Sequence, residues 1–400
     1  MYKKHLCMKK MFIILILNIP LVVYSQNNLE GIVLDSINHQ PVPFATVFIN
    51  GTSKGTYTDT SGIFIIKNAI FPSQVVVSNV AYIPKMIYVE NNDQKIFTIF
   101  INKKGILLSE VVVVSDNIRP KNIIDFKRWY IGSDYWGKNA ILRNDSSLVF
   151  NRELNYNKVN ILRSSKHYII TSPLLPRDII EWAKDSSYAI VKKIASLKAV
   201  SKTPLIIDMP LLGYILHVDL IDFTYKYGES IISSLAYYYW KPYYAKKEQE
   251  TKLFERNRQK AYYNSKQHFC RSLYANKLEQ NGYRLFEQII NEKTHMKELR
   301  YVNIDTCFKY INGNEMQIFG LKNKHFIIHY FFNLIGKPID LTKRGKGLNF
   351  RKSEISFLSD TCTIRSDGII PNSSIMFGGK ISEKRAGALL PYDYILSEIE

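Results

Sequence analysis

Short apolar segments alternate with turn residues in the first part of the chain, over residues 27–115. Strand-like segments such as GIVLD, FATVFIN, GIFIIKN and QVVVSNV are separated by Gly, Pro, Asn, Asp and Ser. In FATVFIN both alternating sets of side chains include apolar groups, so both faces of that strand can be covered. This regular spacing predicts a small β-sandwich of about seven to eight strands.

The segment GTYTDTSGIF, residues 55–64, lies between two of these predicted strands. Asp59 can accept hydrogen bonds from backbone groups two residues on, and Gly62 can adopt the positive φ that ends a turn. A calcium loop needs about six or more oxygen ligands, which one carboxylate and its neighbouring hydroxyls do not supply. We therefore predict a structural turn at Asp59 and Gly62, with no metal bound.

The same region resembles a carboxypeptidase regulatory-like domain, whose usual pattern is G-x-V-x-D, then P-(I/V)-x-x-A-x-V, then G-T-x-T-D-x-x-G-x-F. The matching residues are Gly31, Val33, Asp35, Pro41, Val42, Ala45, Val47, Gly55, Thr58, Asp59, Gly62 and Phe64. The resemblance implies a transthyretin-like or immunoglobulin-like sandwich. It also implies a non-catalytic unit, because this domain is not catalytic in the enzymes that gave it its name.

Residues 1–25 are predicted to be a signal peptide for export. Four lysines precede an apolar run from Met11 to Val23, and Ser25 is a small residue after which a peptidase can cut. That run is shorter than the roughly 20 residues that span a bilayer. The alternative is a buried N-terminal helix. No later stretch is long and apolar enough to predict a transmembrane helix in the mature chain.

The chain is strongly basic, with a formal net charge of +19. Removal of the four lysines in the signal peptide leaves 19 − 4 = +15. Such charge favours acidic partners, and an exported protein seldom meets nucleic acid. We therefore expect anionic glycan or lipid headgroups of the envelope as partners; the alternative is charge spread evenly for solubility. The basic tract TKRGKGLNFRK, residues 342–352, is either an exposed loop or hairpin or a contact with such a ligand.

The cysteines left after cleavage are Cys270, Cys307 and Cys362. An odd number allows one disulfide at most, and the sequence does not indicate which two residues form it. The chain has no Cys-x-x-Cys pair of the kind that holds zinc. We predict neither a metal nor a cofactor.

Residues 116–135 are predicted to be a linker with a short helix, and residues 136–400 a larger β-rich α+β domain. Its strongest strand pattern is LIIDMPLLGYILHVDLIDFTY, residues 205–225. There Leu216 and Val218 share one face while His217 and Asp219 share the other. His217 and Asp219 are either a catalytic pair or, more commonly for such residues, solvated or mutually hydrogen-bonded.

One long helix is predicted from Glu250 to the terminator Gly282. At 100° per residue, Asn257, Ala261, Asn264, His268 and Arg271 form a polar stripe of about 80°. The stripe is either a solvated helix face or the wall of a basic cleft. In the second case the candidate binding residues for an anionic ligand are Asn257, Arg258, His268 and Arg271.

Two segments in this region, NRQKAYYNSKQHFCRSL and GGKISEKRAGALLPYDY, are similar to motifs of a family of exported proteins that begin with the same sandwich. One departure is Lys384, because the family has Glu before the arginine that corresponds to Arg385; here Glu383 lies one residue earlier. No reaction is assigned to that family, so the resemblance implies no catalytic residue.

The favoured interpretation is a non-enzymatic envelope protein, periplasmic or associated with the outer membrane, that acts in binding or assembly. One alternative is a hydrolase that acts on envelope polymers or glycans through a basic cleft. Another is an accessory subunit of an outer-membrane complex with the sandwich as its docking module. The sequence contains no nucleophile elbow, phosphate loop, dinucleotide fingerprint or peptidase motif, which favours the non-enzymatic interpretation.

Export predicts that the mature protein lacks its first 25 residues. Intact-mass measurement of the protein from the envelope fraction should therefore give a chain that begins at Gln26. An uncleaved precursor resident in the cytosol would contradict the prediction.

Overall fold

The computed structural model describes residues 27–91, 93, 96–105, 118–164, 167–170, 179–182, 188–243, 245, 247–302, 308–320, 322, 324–343, 349–371 and 375–397. The predicted signal peptide, residues 1–25, and Cys307 lie outside these residues. The protein is mainly β, as the sequence predicts. Among the described residues, no helix is long and apolar enough to cross a membrane.

The first strands form two facing sheets. They are β1 (Leu29–Asp35), β2 (Thr46–Ile49), β3 (Gly55–Tyr57), β4 (Ile63–Ile66), β5 (Ser73–Ser78), β6 (Lys85–Val89) and β7 (Phe97–Ile101). One sheet has the order β4-β1-β7 and the other β3-β2-β5-β6. Because side chains alternate between the two faces of a strand, Val33, Val47 and Ile99 lie in the core between the two sheets. The sandwich predicted from the spacing is therefore present.

The next elements build a large sheet with short helices at its start. The helices are α1 (Arg119–Phe126), which continues as a π-helical turn (Lys127–Ile131), and α2 (Tyr135–Asn139). The strands are β8 (Ile141–Leu142), β9 (Leu148–Ser164), β10 (His167–Ile170), β11 (Ile179–Trp182), β12 (Tyr188–Ser201), β13 (Leu205–Met209), β14 (Tyr214–Lys226) and β15 (Ile231–Pro242). Their order is β10-β9-β12-β14-β13-β8, with β11 paired to β12 and β15 to β14.

The core of the large sheet is built on one face of β14. Leu216, Val218 and Leu220 are buried there with Phe126 of α1 and with Leu390 near the C-terminus. The alternation in the sequence therefore identifies the buried face correctly.

Two helices follow, α3 (Glu248–Tyr262) and α4 (Lys266–Tyr274), where the sequence predicts one. The chain leaves helical geometry at Tyr263, whose ψ is 133°, and Asn264 adopts a positive φ of 55°. Ser265 then starts α4 as its N-cap, because its hydroxyl accepts the backbone N–H of His268 at 3.1 Å. Asn tolerates left-handed geometry better than most residues, so the break occurs without glycine.

The C-terminal part contains two smaller sheets. Their strands are β16 (Tyr283–Ile290), β17 (Lys297–Tyr301), β18 (Phe308–Asn312), β19 (Glu315–Phe319), β20 (His325–Phe331), β21 (Phe350–Phe357), β22 (Thr361–Arg365) and β23 (Ile375–Gly379). The orders are β17-β16-β20-β21-β23 and β18-β19-β22. Phe269, Cys270 and Leu273 of α4 pack with both sheets and with Cys362 in one core. The described residues from 136 onward thus include two large cores, joined by α3 and α4.

The sandwich is docked on β15 through the second face of β2. Phe48 and Val76 are buried against Tyr239 of β15, and the rings of Phe48 and Tyr239 stack at 5.3 Å between centroids. The turn after β2 continues the contact in the backbone: Gly51 N–H donates to Tyr238 O at 2.8 Å, and Trp240 N–H to Thr52 O at 3.1 Å. This contact explains why both faces of β2 are apolar.

The C-terminal segment closes the same interface. Tyr392 N–H donates to Gly51 O at 2.7 Å, and the Asp393 carboxylate accepts from Ser53 N–H at 2.9 Å and from the Ser53 hydroxyl at 2.6 Å. Gly51 has a φ of 79°, and a Cβ at this position would lie 2.5 Å from the Tyr392 ring. A side chain here is excluded by both the backbone geometry and the ring.

His217 and Asp219 face this interface, a location that neither interpretation of the sequence considered. The His217 ring lies 6.0 Å from that of Tyr239, and the Asp219 carboxylate accepts the Ser78 hydroxyl at 2.9 Å. Burial raises the pKa of Asp219 to about 6. The Asp219 carboxylate therefore joins β14 to the sandwich, whereas His217 contacts its neighbour Tyr239 on β15 of the same sheet.

Phe48→Ala should destabilise the protein by about 3 kcal/mol, because it leaves a cavity between two packed units. Ile65→Ala removes an exposed side chain of the same sandwich, 45% accessible, and should change stability by less than about 0.5 kcal/mol. Denaturant unfolding of both variants measures the difference. Equal stabilities would show that the sandwich does not depend on the β15 contact.

Candidate functional site

The predicted turn residues, Asp59 and Gly62, lie between β3 and β4. The Asp59 carboxylate accepts the N–H groups of Ser61 and Ile63, each at 2.8 Å. Gly62 has a φ of 75°, where a Cβ would approach Val33 O to 2.6 Å. One carboxylate oxygen of Asp59 thus accepts both hydrogen bonds that fix the turn. Among the described residues, no group of three or more His, Cys, Asp or Glu could hold a metal.

Asn257 and Arg258 of α3 bind the turn between β13 and β14. Asn257 Nδ2 donates to Leu211 O at 2.8 Å, and Arg258 Nε donates to Leu212 O at 2.8 Å. The Arg258 guanidinium also lies 4.2 Å from the centre of the Tyr214 ring. Both side chains therefore hold α3 on the large sheet.

Arg271 of α4 binds three carbonyl oxygens from two segments. Its guanidinium donates to Asp367 O at 3.0 Å, to Tyr394 O at 2.9 Å and to Tyr392 O at 2.7 Å. The two segments quoted in the exported-family resemblance thus meet here, since Arg271 belongs to one and Tyr392 and Tyr394 to the other. The contact fixes the C-terminal segment between the helices and the sandwich.

His268 is buried in an aromatic cage, with 3% of its surface exposed. Its Nδ1 accepts the backbone N–H of Asn264 at 3.2 Å and lies 2.9 Å from the Tyr283 hydroxyl. Burial, followed by the charges of Lys384 and Arg271, lowers the pKa of His268 to about 3. The ring is therefore neutral. A proton on Nδ1 would face the backbone N–H of Asn264, which already donates to that nitrogen.

The four candidate binding residues make side-chain hydrogen bonds to three different parts of the chain. These residues are Asn257, Arg258, His268 and Arg271. These contacts are within the chain, and together they do not outline one cleft. Their role in ligand binding stays a prediction.

A different cleft of about 660 Å³ lies beside the break between α3 and α4. Its cationic residues are Lys260, Arg351, Lys380 and Lys384. Its aromatic residues are Tyr135, Trp136, Tyr263 and Phe332, and its acidic residues are Asp134 and Glu383. We call it the cationic–aromatic cleft.

Lys384 supplies charge to this cleft, while its ammonium protons are donated to backbone carbonyls of the protein. Its ammonium donates to Lys260 O at 3.3 Å, to Ala261 O at 2.6 Å and to Tyr263 O. These carbonyls lie at the C-terminal end of α3, where a cation is favoured by the helix dipole. Burial and the charge of Arg351 lower the pKa of Lys384 to about 7.

Arg351 and Lys260 are exposed and, among the described residues, have no carboxylate within ion-pair distance. The guanidinium of Arg351 lies 4.5 Å from the centre of the Phe332 ring. Lys380 instead pairs with Glu383 at 2.9 Å. The cleft thus contains two cations that are free to meet an anion, next to a third, Lys384, that repels Arg351.

Asn264 adds an unsatisfied polar atom to the cleft wall. The residue is 1% exposed and lines the cleft, and among the described residues its side-chain oxygen has no hydrogen-bond partner. A buried polar atom without a partner is costly, so this oxygen marks a strained point in the packing beside the cleft.

Four residues of this cleft lie in segments that the sequence analysis noted, although it proposed none of them as a binding residue. Asn264 belongs to the polar stripe, Arg351 to the basic tract, and Lys384 and Glu383 to the departure from the family motif. It missed Asp134, Lys260 and the aromatic residues. These residues are distant in the sequence and form no local motif, although Lys260 lies one helical turn before Asn264.

A second cleft, of about 500 Å³, lies between the sandwich and the C-terminal part. There Arg365 pairs with Asp367 at 3.2 Å, and Asp393 binds Ser53. Arg365 also donates to Pro72 O at 3.0 Å. Its charged groups thus connect the units, which makes it a weaker candidate for a ligand.

The fold defines a mainly β protein whose leading sandwich is docked on a larger body. The family model of the CarboxypepD_reg-like domain matches residues 29–113, so this leading unit is a carboxypeptidase regulatory-like domain. The match begins at the first residue of β1. A comparison of the whole chain with curated proteins found no match.

His268→Gln should flatten the acid dependence of stability. The folded-state pKa of about 3 lies below the ordinary 6.5, so the unfolded chain binds the extra proton first. Wild-type stability should therefore fall as the pH drops from about 6.5 to about 3, by on the order of 4 kcal/mol from this residue.

Denaturant unfolding across this pH range, for wild type and His268→Gln, measures the difference. Tyr283→Phe is the control, because it removes a contact of His268 but leaves the titrating ring and should keep most of the slope. Parallel curves for wild type and His268→Gln would contradict the prediction.

Proposed function

We propose that this is a non-enzymatic, exported envelope protein that binds the anionic group of an envelope glycan or lipid in the cationic–aromatic cleft. The observation that carries the proposal is that Arg351 and Lys260, which have no carboxylate within ion-pair distance among the described residues, line one cleft together with aromatic side chains. Export itself is supported by the leader-like residues 1–25, and an acidic partner by the formal charge of +19.

The chemistry of the cleft suits a phosphate or carboxylate on a partly apolar molecule. The planar guanidinium of Arg351 can donate two parallel hydrogen bonds to either anion. Binding sites commonly combine apolar walls with a few placed polar groups, and here Trp136 and Phe332 supply such walls. The aromatic residues would cover the uncharged part of the ligand.

The hydrolase alternative has weaker support. Glycoside hydrolysis uses a pair of carboxyl groups, and Asp134 and Glu383 both line the cleft. However, Asp134 accepts Gly137 N–H at 2.8 Å as the N-cap of α2, and Glu383 pairs with Lys380. Both carboxylates have structural partners, which favours binding over catalysis.

The accessory-subunit alternative would need a free surface on the sandwich. The face of β2 that contains Phe48 is occupied by β15 of the same chain. A partner would instead have to meet the opposite sheet, where Ile63 and Ile65 are exposed. The contact between the sandwich and β15 supports a structural role for the sandwich. The ligand would then bind to the larger part of the protein that follows the sandwich.

The double variant Lys260→Glu and Arg351→Glu should weaken binding to both polygalacturonate and vesicles that contain phosphatidylglycerol, or to whichever of the two the wild type binds. Two reversed charges at the site should reduce affinity by on the order of tenfold at low salt, and less at high salt because exposed charges are screened. Titration with each probe measures the change.

The matched control is Lys297→Glu with Lys309→Glu, which makes the same change in net charge at exposed positions of β17 and β18. Equal losses in the two double variants would show that binding depends on overall charge, and the cleft proposal would be wrong. Wild-type protein that binds neither probe would also contradict it.

A further inference from the structure

The turn after β20, residues 333–337, presents two aliphatic side chains to solvent. Leu334 is 102% exposed and Ile335 is 65% exposed. Single exposed apolar residues are common on proteins. Two successive aliphatic residues at the tip of one turn are a stronger signal, because they form an apolar projection that the fold leaves uncovered.

The turn holds these side chains outward through its own hydrogen bonds. The Asn333 carboxamide oxygen accepts the N–H groups of Ile335 at 3.1 Å and Lys337 at 3.0 Å. Gly336 has a φ of 82°, and its carbonyl accepts the hydroxyl of the buried Tyr330 at 3.2 Å. The tip is thus a built feature, anchored to the core.

The same turn forms the rim of the cationic–aromatic cleft. Leu334, Ile335 and Gly336 line the cleft together with Arg351 and Lys260. The exposed aliphatic side chains of the turn and the two unpaired cations therefore line the same cleft. A soluble polysaccharide offers charge but nothing to cover Leu334, whereas an anionic bilayer offers both an apolar interior and acidic headgroups.

We propose that the turn Asn333–Lys337 is a membrane contact, in which Leu334 and Ile335 enter the boundary of an anionic bilayer while a headgroup phosphate lies in the cleft beside Arg351. The inference rests on the proposed function and names its ligand as an anionic lipid. Partial insertion of apolar side chains and attraction of basic residues to acidic lipid act together in reversible membrane binding.

Tyr135 gives the surface an amphipathic residue at the same rim. It is 63% exposed, lines the cleft, and lies with its ring centre 5.1 Å from that of Trp136. Tyr and Trp are favoured at the level of lipid headgroups, where one end of the ring system is apolar and the other is wet. Their position therefore agrees with a membrane-facing rim.

The test is co-sedimentation of the full mature chain with vesicles of phosphatidylcholine alone and with vesicles that also contain phosphatidylglycerol. Wild-type protein should bind the anionic vesicles, and the double variant Leu334→Ser with Ile335→Ser should bind them about tenfold more weakly. Ile37→Ser is the matched control, because it removes an 82% exposed aliphatic residue from a turn of the sandwich and should bind like wild type.

If the Leu334→Ser, Ile335→Ser variant bound anionic vesicles as tightly as the wild type does, the inference would be wrong. If Lys260→Glu with Arg351→Glu still lost binding in that case, the cleft proposal would stand without the membrane tip. Wild-type protein that binds polygalacturonate but not anionic vesicles would likewise exclude the bilayer and leave the proposed function intact. Unfolding midpoints of the serine variants should match wild type, because the altered side chains are exposed.

Discussion

The guanidinium of Arg271 makes the contact on which the arrangement of the protein depends. By donating to the carbonyls of Tyr392 and Tyr394, it holds the C-terminal segment against α4. That segment then meets the sandwich, through Tyr392 N–H to Gly51 O and Asp393 to Ser53. Hydrogen bonds to a charged donor are stronger than neutral ones, and here two of them connect α4 to a chain segment that reaches the first domain.

The cleft arises from the break between the two helices. Because α3 ends at Tyr262, its last carbonyls are free to accept the ammonium of Lys384, which brings positive charge to the cleft wall. Asn264, at the break, lines the same cleft. A continuous helix would satisfy these carbonyls internally and would leave Lys384 without its partners. The polar atoms of the site thus depend on the interruption.

The sequence predicts the sandwich well because period-two alternation and the turn at Asp59 and Gly62 are local signals. It does not predict the break at Asn264, since α3 and α4 together lack Pro and Gly, and the capping role of Ser265 becomes evident only with the φ of its neighbour. The candidate residues His268 and Arg271 have the right chemistry for an anion, but the sequence does not reveal that His268 is buried or that Arg271 donates to backbone carbonyls. The cleft combines Arg351 with Lys260, which no spacing rule connects.

A crystal structure of the mature chain with a short-chain phosphatidylglycerol tests the central claim, that the cationic–aromatic cleft receives an anionic lipid. The account predicts a phosphate within hydrogen-bond distance of Arg351, close to Asn264, with the acyl chains directed past Leu334 and Ile335. A lipid phosphate bound only at another site, with the cleft left vacant, would contradict it.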